Sequence, residues 1–216
     1  REIKGLENFF KKNKVFTILA IIFFILLLIF SVGIRTQNLP LLEDSTSGKT
    51  IPLALDPYYF LRVSETMLDA GGLPEYDEMR APGTNIKWST EILPSVAISM
   101  YKINKIFNPD ISLRDVFVLS PVILFAIALI IFFFMCYSFT GSKLASLISC
   151  LFLAFSPSFL YRTTAGFADH DVLGIVAIFA CILIYLVGLK KFEKNIKQTV
   201  IWSVLLSFFT ILTLVS

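Results

Sequence analysis

Five stretches of this chain contain no Asp, Glu, Lys, Arg or His: 15–34, 116–139, 144–161, 172–189 and 199–216. They are 18 to 24 residues long. A helix crossing hydrocarbon needs ~20 apolar residues, with a range of ~17–25. Backbone polar groups in lipid must bond within their own segment, so runs of this length are expected to be helices. The sequence therefore predicts an all-α integral membrane protein with five membrane helices at about those positions. The first run is too long for a signal-peptide core, and no small-residue cleavage site follows it. Apolar residues make up 56% of the chain and charged residues 16%, against a usual ~45–50% and ~25%. That balance excludes a disordered chain and argues against a soluble domain. The net charge is only +3, with no basic stripe, so no nucleic-acid partner is expected. Cys136, Cys150 and Cys181 all lie in apolar runs and have no zinc-ligand spacing.

Charge placement gives an orientation. Segments 1–14, 140–143 and 190–198 hold ten Lys and Arg against three acids, while the rest of the chain holds nine basic and thirteen acidic residues. The basic segments are expected in the cytoplasm. The external loop 35–115 and the short loop 162–171 then face outward, and the whole of 1–216 reads as one transmembrane domain. A start at Arg1 and an end at Ser216 inside the fifth run lead us to expect the N-terminal part of a longer protein.

An outer loop of this length is expected to be functional, and its aromatic content is not that of a disordered segment. Pro57–Ala70 reads as an amphipathic helix, with Tyr58, Leu61, Met67 and Leu68 near one face, Asp56 as N-cap and Pro57 as first helical residue. Ile92–Phe107 is a second helix, and the segment from Arg80 to Thr84 reads as a turn. The short loop carries the one His of the chain, His170, between Asp169 and Asp171. Acids before a helix serve as caps. Two acids, a His and the nearby Arg162 exceed that need. Two carboxylates spaced by one residue can hold a hard divalent cation through oxygen, and such a cation can hold the oxygens of a phosphate leaving group.

Leu55-Asp-Pro-Tyr-Tyr-Phe-Leu-Arg62 resembles the first-loop motif of oligosaccharyltransferase catalytic subunits. Arg162-Thr-Thr-Ala-Gly-Phe-Ala-Asp-His-Asp171 resembles their second acidic motif, and Arg80-Ala-Pro-Gly-Thr-Asn the segment between. The order of one helix, a long outer loop, two helices and a short acidic outer loop is similar too. The archaeal members look closest. The resemblance implies a GT-C membrane fold. It implies transfer of an oligosaccharide, with inversion, from a polyprenyl (dolichyl) phosphate or pyrophosphate carrier to Asn in Asn-x-Ser/Thr sequons. Its partners would be the lipid bilayer, the lipid-linked oligosaccharide and the acceptor polypeptide, and its cofactor Mg²⁺ or Mn²⁺. Matched to the family's motifs, Asp56, Asp169 and Arg162 are the catalytic candidates. Asp56, Asp169 and Asp171 are the metal ligands, and His170 a supporting neighbour. Ala54 departs from the pattern, since a second acid or Gly is expected two residues before Asp56. The family also implies a later Glu-bearing outer loop and a soluble domain with a Trp-Trp-Asp-Tyr-Gly motif. Neither lies within these residues, so residues 1–216 alone are expected to be inactive. The alternative is another GT-C transferase that uses a polyprenyl-phosphate sugar. A transporter, which would place charge inside its membrane helices, and a purely structural subunit fit less well.

Overall fold

A computed structural model describes residues 14–77, 79, 92–189 and 196–215. Among them the chain is helical: α1 (Lys14–Thr36), α2 (Leu55–Ala70), α3 (Ile92–Phe107), α4 (Leu113–Thr140), α5 (Lys143–Phe155), α6 (Pro157–Arg162), α7 (His170–Leu189) and α8 (Ile196–Val215), with a 3₁₀ turn at Leu39–Leu41. Spans Lys14–Leu41, Leu113–Thr140 and His170–Leu189 are long and apolar enough to cross a membrane. The chain is thus a helical membrane protein. The turn expected at Arg80–Thr84, and residues 1–13 and 190–195 of the segments expected in the cytoplasm, lie outside the described residues.

The third apolar run is not one helix. It divides into α5 and α6 around Ser156. Pro157 lacks an N–H and forces the residue before it out of the helical region, and Ser156 has ψ 123°. With 13 residues, α5 is only about 20 Å long, short of a hydrocarbon core of ~30 Å.

Packing radiates from α4, which meets α1, α2, α3, α5 and α7. Hydrophobic transfer cannot drive helix association in lipid, so close approach of small residues must. Ala128, Cys150, Ala154 and Ala177 are accordingly fully buried. Larger side chains fill the space around them, with Leu27, Phe125, Phe159 and Val172 from four different helices in one cluster. The other face of α1 is apolar and exposed, from Val15 and Ile18 to Phe30, as a lipid-facing surface must be.

Local signals set the helix ends. Ser112 and Asp115 form a capping box that starts α4, and Gly141, with φ 68°, ends it. Ser142 caps α5. Pro121 removes one helical hydrogen bond within α4, and the carbonyl it leaves, that of Phe117, accepts from Ser120 Oγ at 2.7 Å. The next carbonyl, Val118 O, accepts from the Gly166 N–H at 2.8 Å.

The two ends of the bundle are distinct. At one, Lys143 Nζ donates to Thr17 Oγ1 at 2.6 Å, so the amino end of α1 lies beside the α4–α5 turn. At the other, the carboxyl end of α1 meets the 163–167 segment through Ala165 N–H to Arg35 O at 2.9 Å. Lys14 and the 140–143 segment, grouped by charge in the sequence, therefore lie at one end.

Gly166 is where this second end is tightest. Its φ is +86°, and a Cβ there would fall 2.7 Å from Leu42 Cδ1 and 3.1 Å from Leu53 N. Gly166→Ala is expected to cost at least about 1–3 kcal/mol from backbone strain, seen as a lower unfolding temperature of the protein in detergent. Gly72→Ala, where nothing lies within 4 Å, should leave that temperature nearly unchanged.

Candidate functional site

The site is assembled from a short loop and the helix that it receives. The loop from Thr163 to Ala168 is buried except for the half-buried Thr164, so its backbone polar groups need partners. Ala165 O accepts from Asn38 Nδ2 at 2.8 Å, Gly166 O from Leu53 N–H at 2.9 Å, and Thr164 Oγ1 donates to Arg35 O at 3.3 Å. These bonds bring the chain before α2 against the chain before α7. Leu53 precedes Asp56 by three residues, and Gly166 precedes Asp169 by three. The two motif segments are therefore joined directly by backbone.

A second contact lies one step further on. Phe60 of α2 meets the His170 ring edge to face, with centroids 6.0 Å apart. Beneath it Phe60, Leu61, Leu93, Ala97, Phe117 and Ala168 form a cluster. Asp56 lies one helical turn before Phe60 and on the same face, exposed to solvent.

The helix start differs from the sequence reading. α2 begins at Leu55 with Ala54 as N-cap, and Asp56 sits in the first turn. Pro57 is therefore the third helical residue, two positions later than expected, and is tolerated there because the first-turn N–H groups have no intrahelical partner anyway. Asp56 is thus freed from capping, though it still favours the positive end of the helix. The buried face is also rotated. Pro57, Phe60, Leu61 and Ser64 are buried, whereas Tyr58 is 43% exposed. The polar Ser64 fits the apolar face because its hydroxyl donates to Phe60 O at 2.8 Å.

Asp169 immediately precedes α7 and is buried, with its side chain 5% exposed. Its Oδ1 accepts from the His170 N–H and from His170 Nδ1, both at 2.7 Å. Its Oδ2 lies 3.5 Å from Arg162 Nη1, and the same Nη1 lies 3.1 Å from Asp171 Oδ2. His170 Nε2 is 3.7 Å from Asp171 Oδ1. The Arg162 guanidinium also rests over Phe167, 5.0 Å from the ring centroid. The two carboxylates thus converge on one positive centre. Arg162 and Asp171 are half-exposed, and a pair of that kind is worth only about 0–1 kcal/mol. A competing cation or anion can displace it cheaply.

The donor set of Asp56, Asp169 and Asp171 is all hard oxygen, which suits Mg²⁺ or Mn²⁺. Asp169 and Asp171 are brought together. Among the described residues, however, no three His, Cys, Asp or Glu side chains are arranged to hold a metal ion. Asp56 shares the end of the bundle with the pair without completing a ligand set.

Two groups escaped the sequence reading. Arg62 forms a two-pronged pair with Asp77, Nη1 to Oδ1 at 2.7 Å and Nη2 to Oδ2 at 2.5 Å. Asp77 is 1% exposed and also accepts from the Met79 N–H. The hydrogen bonds that Arg62 donates to Asp77 raise the Arg62 pKa above its ordinary value. This pair ties α2, and so Asp56, to the chain that follows it. The second group is Arg35, wholly buried at the end of α1. Neither has a spacing that announces it, although Arg62 stands within the quoted first-loop motif.

Residues 20–216 match the family model described as oligosaccharyl transferase STT3, N-terminal. The chain is similar to a protein of Methanocaldococcus jannaschii named dolichyl-phosphooligosaccharide-protein glycotransferase, with 23% identity over 89% of this chain and 23% of the relative. A protein of Methanococcus voltae with the same name is 26% identical over 88% of this chain and 23% of its own length. The chain therefore spans about a quarter of the length of these curated relatives.

Loss of the buried Asp77 carboxylate should loosen α2 selectively. Asp77→Ala is expected to destabilise by about 1–3 kcal/mol, the cost of unpaired hydrogen-bonding partners. Hydrogen exchange should show it as faster exchange in 55–70 than in α4.

Proposed function

Since this chain belongs to the oligosaccharyl transferase STT3 family, we propose that it forms the membrane part of an N-glycosylating enzyme. That enzyme moves an oligosaccharide from a polyprenyl (dolichyl) phosphate or pyrophosphate carrier to Asn in Asn-x-Ser/Thr. One observation carries this reading. The Leu53–Gly166 backbone bond sets the first-loop acid and the acidic pair at one end of the bundle. Two segments more than a hundred residues apart are joined there.

In this reading the fold is of GT-C type and crosses the membrane five times. α5 and α6 together form the third crossing and α8 the fifth. The end that holds Lys14 and Lys143 is cytoplasmic and the Asp56–Asp169 end is external, following the excess of basic residues. This end then lies at the bilayer surface, where the phosphate of a lipid-linked donor sits.

Each residue has a task. Asp169 is fixed by burial and by the His170 N–H, and gives a rigid carboxylate. Asp171 is half-exposed and can swing between Arg162 and a bound cation. Mg²⁺ or Mn²⁺, when bound, supplies positive charge to the oxygens of the departing phosphate. Arg162, released from the acids, adds a guanidinium that suits phosphate. Asp56 is exposed and can accept from the N–H groups of the acceptor amide. That contact weakens the conjugation of the amide nitrogen with its carbonyl. The nitrogen then attacks the anomeric carbon with inversion, the bond from that carbon to the carrier phosphate breaks, and the amide gives up one proton to solvent.

In the full-length protein, Asp169→Asn should abolish glycan transfer to a sequon peptide while leaving the unfolding temperature within a few degrees. Asn serves before a helix about as well as Asp, so the structural role survives. Asp110→Asn, in the exposed 108–112 turn, should transfer at the wild-type rate. Wild-type transfer by Asp169→Asn would remove Asp169 from the chemistry. The orientation is tested separately by cysteine labelling of intact cells. A membrane-impermeant reagent should reach position 55 and not position 11, and the reverse would invert the topology.

A further inference from the structure

Arg35 ends the first apolar run, and a charge there is ordinarily read as a side chain reaching for the membrane surface. In the structure it does the opposite. It is 0% exposed, one of the largest fully buried side chains of the protein. Its guanidinium carbon lies over the Phe125 ring, 3.5 Å from the centroid.

The guanidinium points in three directions at once. Nε donates to Thr163 Oγ1 at 2.7 Å, Nη2 to Ala154 O at 2.8 Å and Nη1 to Ser31 O at 3.2 Å. The Ala154 bond has a cause. The Ser156–Pro157 break ends α5, and carbonyls in the last turn of a helix lose their intrahelical donors. Arg35 supplies one. Thr163 Oγ1 in turn donates to Phe159 O at 2.5 Å. The backbone of Arg35 adds two more bonds, accepting from Ala165 N–H and Thr164 Oγ1. A single residue thus joins the end of α1, the α5–α6 break and three consecutive residues of the loop that leads into Asp169.

We propose that Arg35 is a positioning residue that fixes the 163–167 loop, and through it Asp169, relative to the Asp56 segment. It touches no acid of the site and no reacting atom. A planar fork with several donors suits the role, and a Lys ammonium, a point charge on a flexible stem, does not. Displacement of a reacting group by ~1 Å can cost on the order of 100-fold in rate, so holding the loop bears directly on turnover. The consequence for glycan transfer rests on the function proposed above. The mechanical role does not.

The test uses the full-length protein with Arg35→Lys and Thr163→Val, since Arg35→Met, which empties the whole clamp, can fail to fold. Hydrogen exchange of the Ala165 and Gly166 amides should accelerate at least about 10-fold in both variants, while the 122–129 segment of α4 stays protected. Unchanged exchange at 165 and 166, or equal acceleration throughout α4, would overturn the positioning role. In the same preparations, glycan transfer by Arg35→Lys should show kcat reduced about 10-fold or more with the acceptor-peptide KM within about 2-fold. Wild-type kcat alongside accelerated loop exchange would also overturn the proposal. Should the wild-type protein itself transfer no glycan, the function reading fails, and the exchange measurement alone decides whether Arg35 holds the loop.

Discussion

The burial of a polar loop against the end of a hydrophobic bundle is the constraint on which this structure depends. Segment 163–166 has little side-chain bulk with which to pack itself. It is held because its N–H and C=O groups find partners on three separate pieces of chain: Arg35 in the last turn of α1 with Asn38 just after it, Val118 within α4, and Leu53 before α2. Unpaired, each such group would cost free energy comparable to a lost hydrogen bond. The loop therefore has one low-energy seat, and that seat determines where Asp169 stands.

Two prolines make the seat possible. Pro121 leaves the Phe117 carbonyl of α4 without its helical donor, and the neighbouring Val118 carbonyl accepts from Gly166. Pro157 ends α5 and exposes a carbonyl that Arg35 reaches. Both would be defects in an isolated helix. Here they supply acceptors at the level where a buried loop needs them, and Ser120 satisfies the one that remains. Irregular backbone at this depth is tolerable where it is buried in protein, as it is here.

Much of this was legible in the sequence. The helical membrane class follows from run length alone, and α3 spans Ile92–Phe107 as its pattern indicated. Membership in the oligosaccharyl transferase family rests on motifs that the sequence displays openly. What stayed hidden was relational. The Ser-Pro pair at 156–157 marks a break, but a charge-free run of 18 residues masks it. The sequence pattern groups Tyr58 with Leu61, Met67 and Leu68 near one face of α2, and helical periodicity alone does not show that Pro57 and Ser64 are buried while Tyr58 is exposed. Arg35 stands one residue beyond an apolar run and looks like any flanking charge, and nothing in the sequence reports that Thr163 lies beside it. The pairing of Arg62 with Asp77 was equally silent, because a spacing of fifteen residues carries no periodic signal.

The central proposal is that the acidic pair, with the first-loop acid at the same end, forms a cation site at the end of the bundle opposite Lys14 and Lys143. Manganese electron paramagnetic resonance on the full-length protein tests it most directly. The account predicts one bound Mn²⁺ per protein in the wild type, displaced by Mg²⁺, lost in Asp169→Asn and weakened in Asp56→Asn. Mn²⁺ binding of equal strength in all three proteins, or none in the wild type, would contradict it.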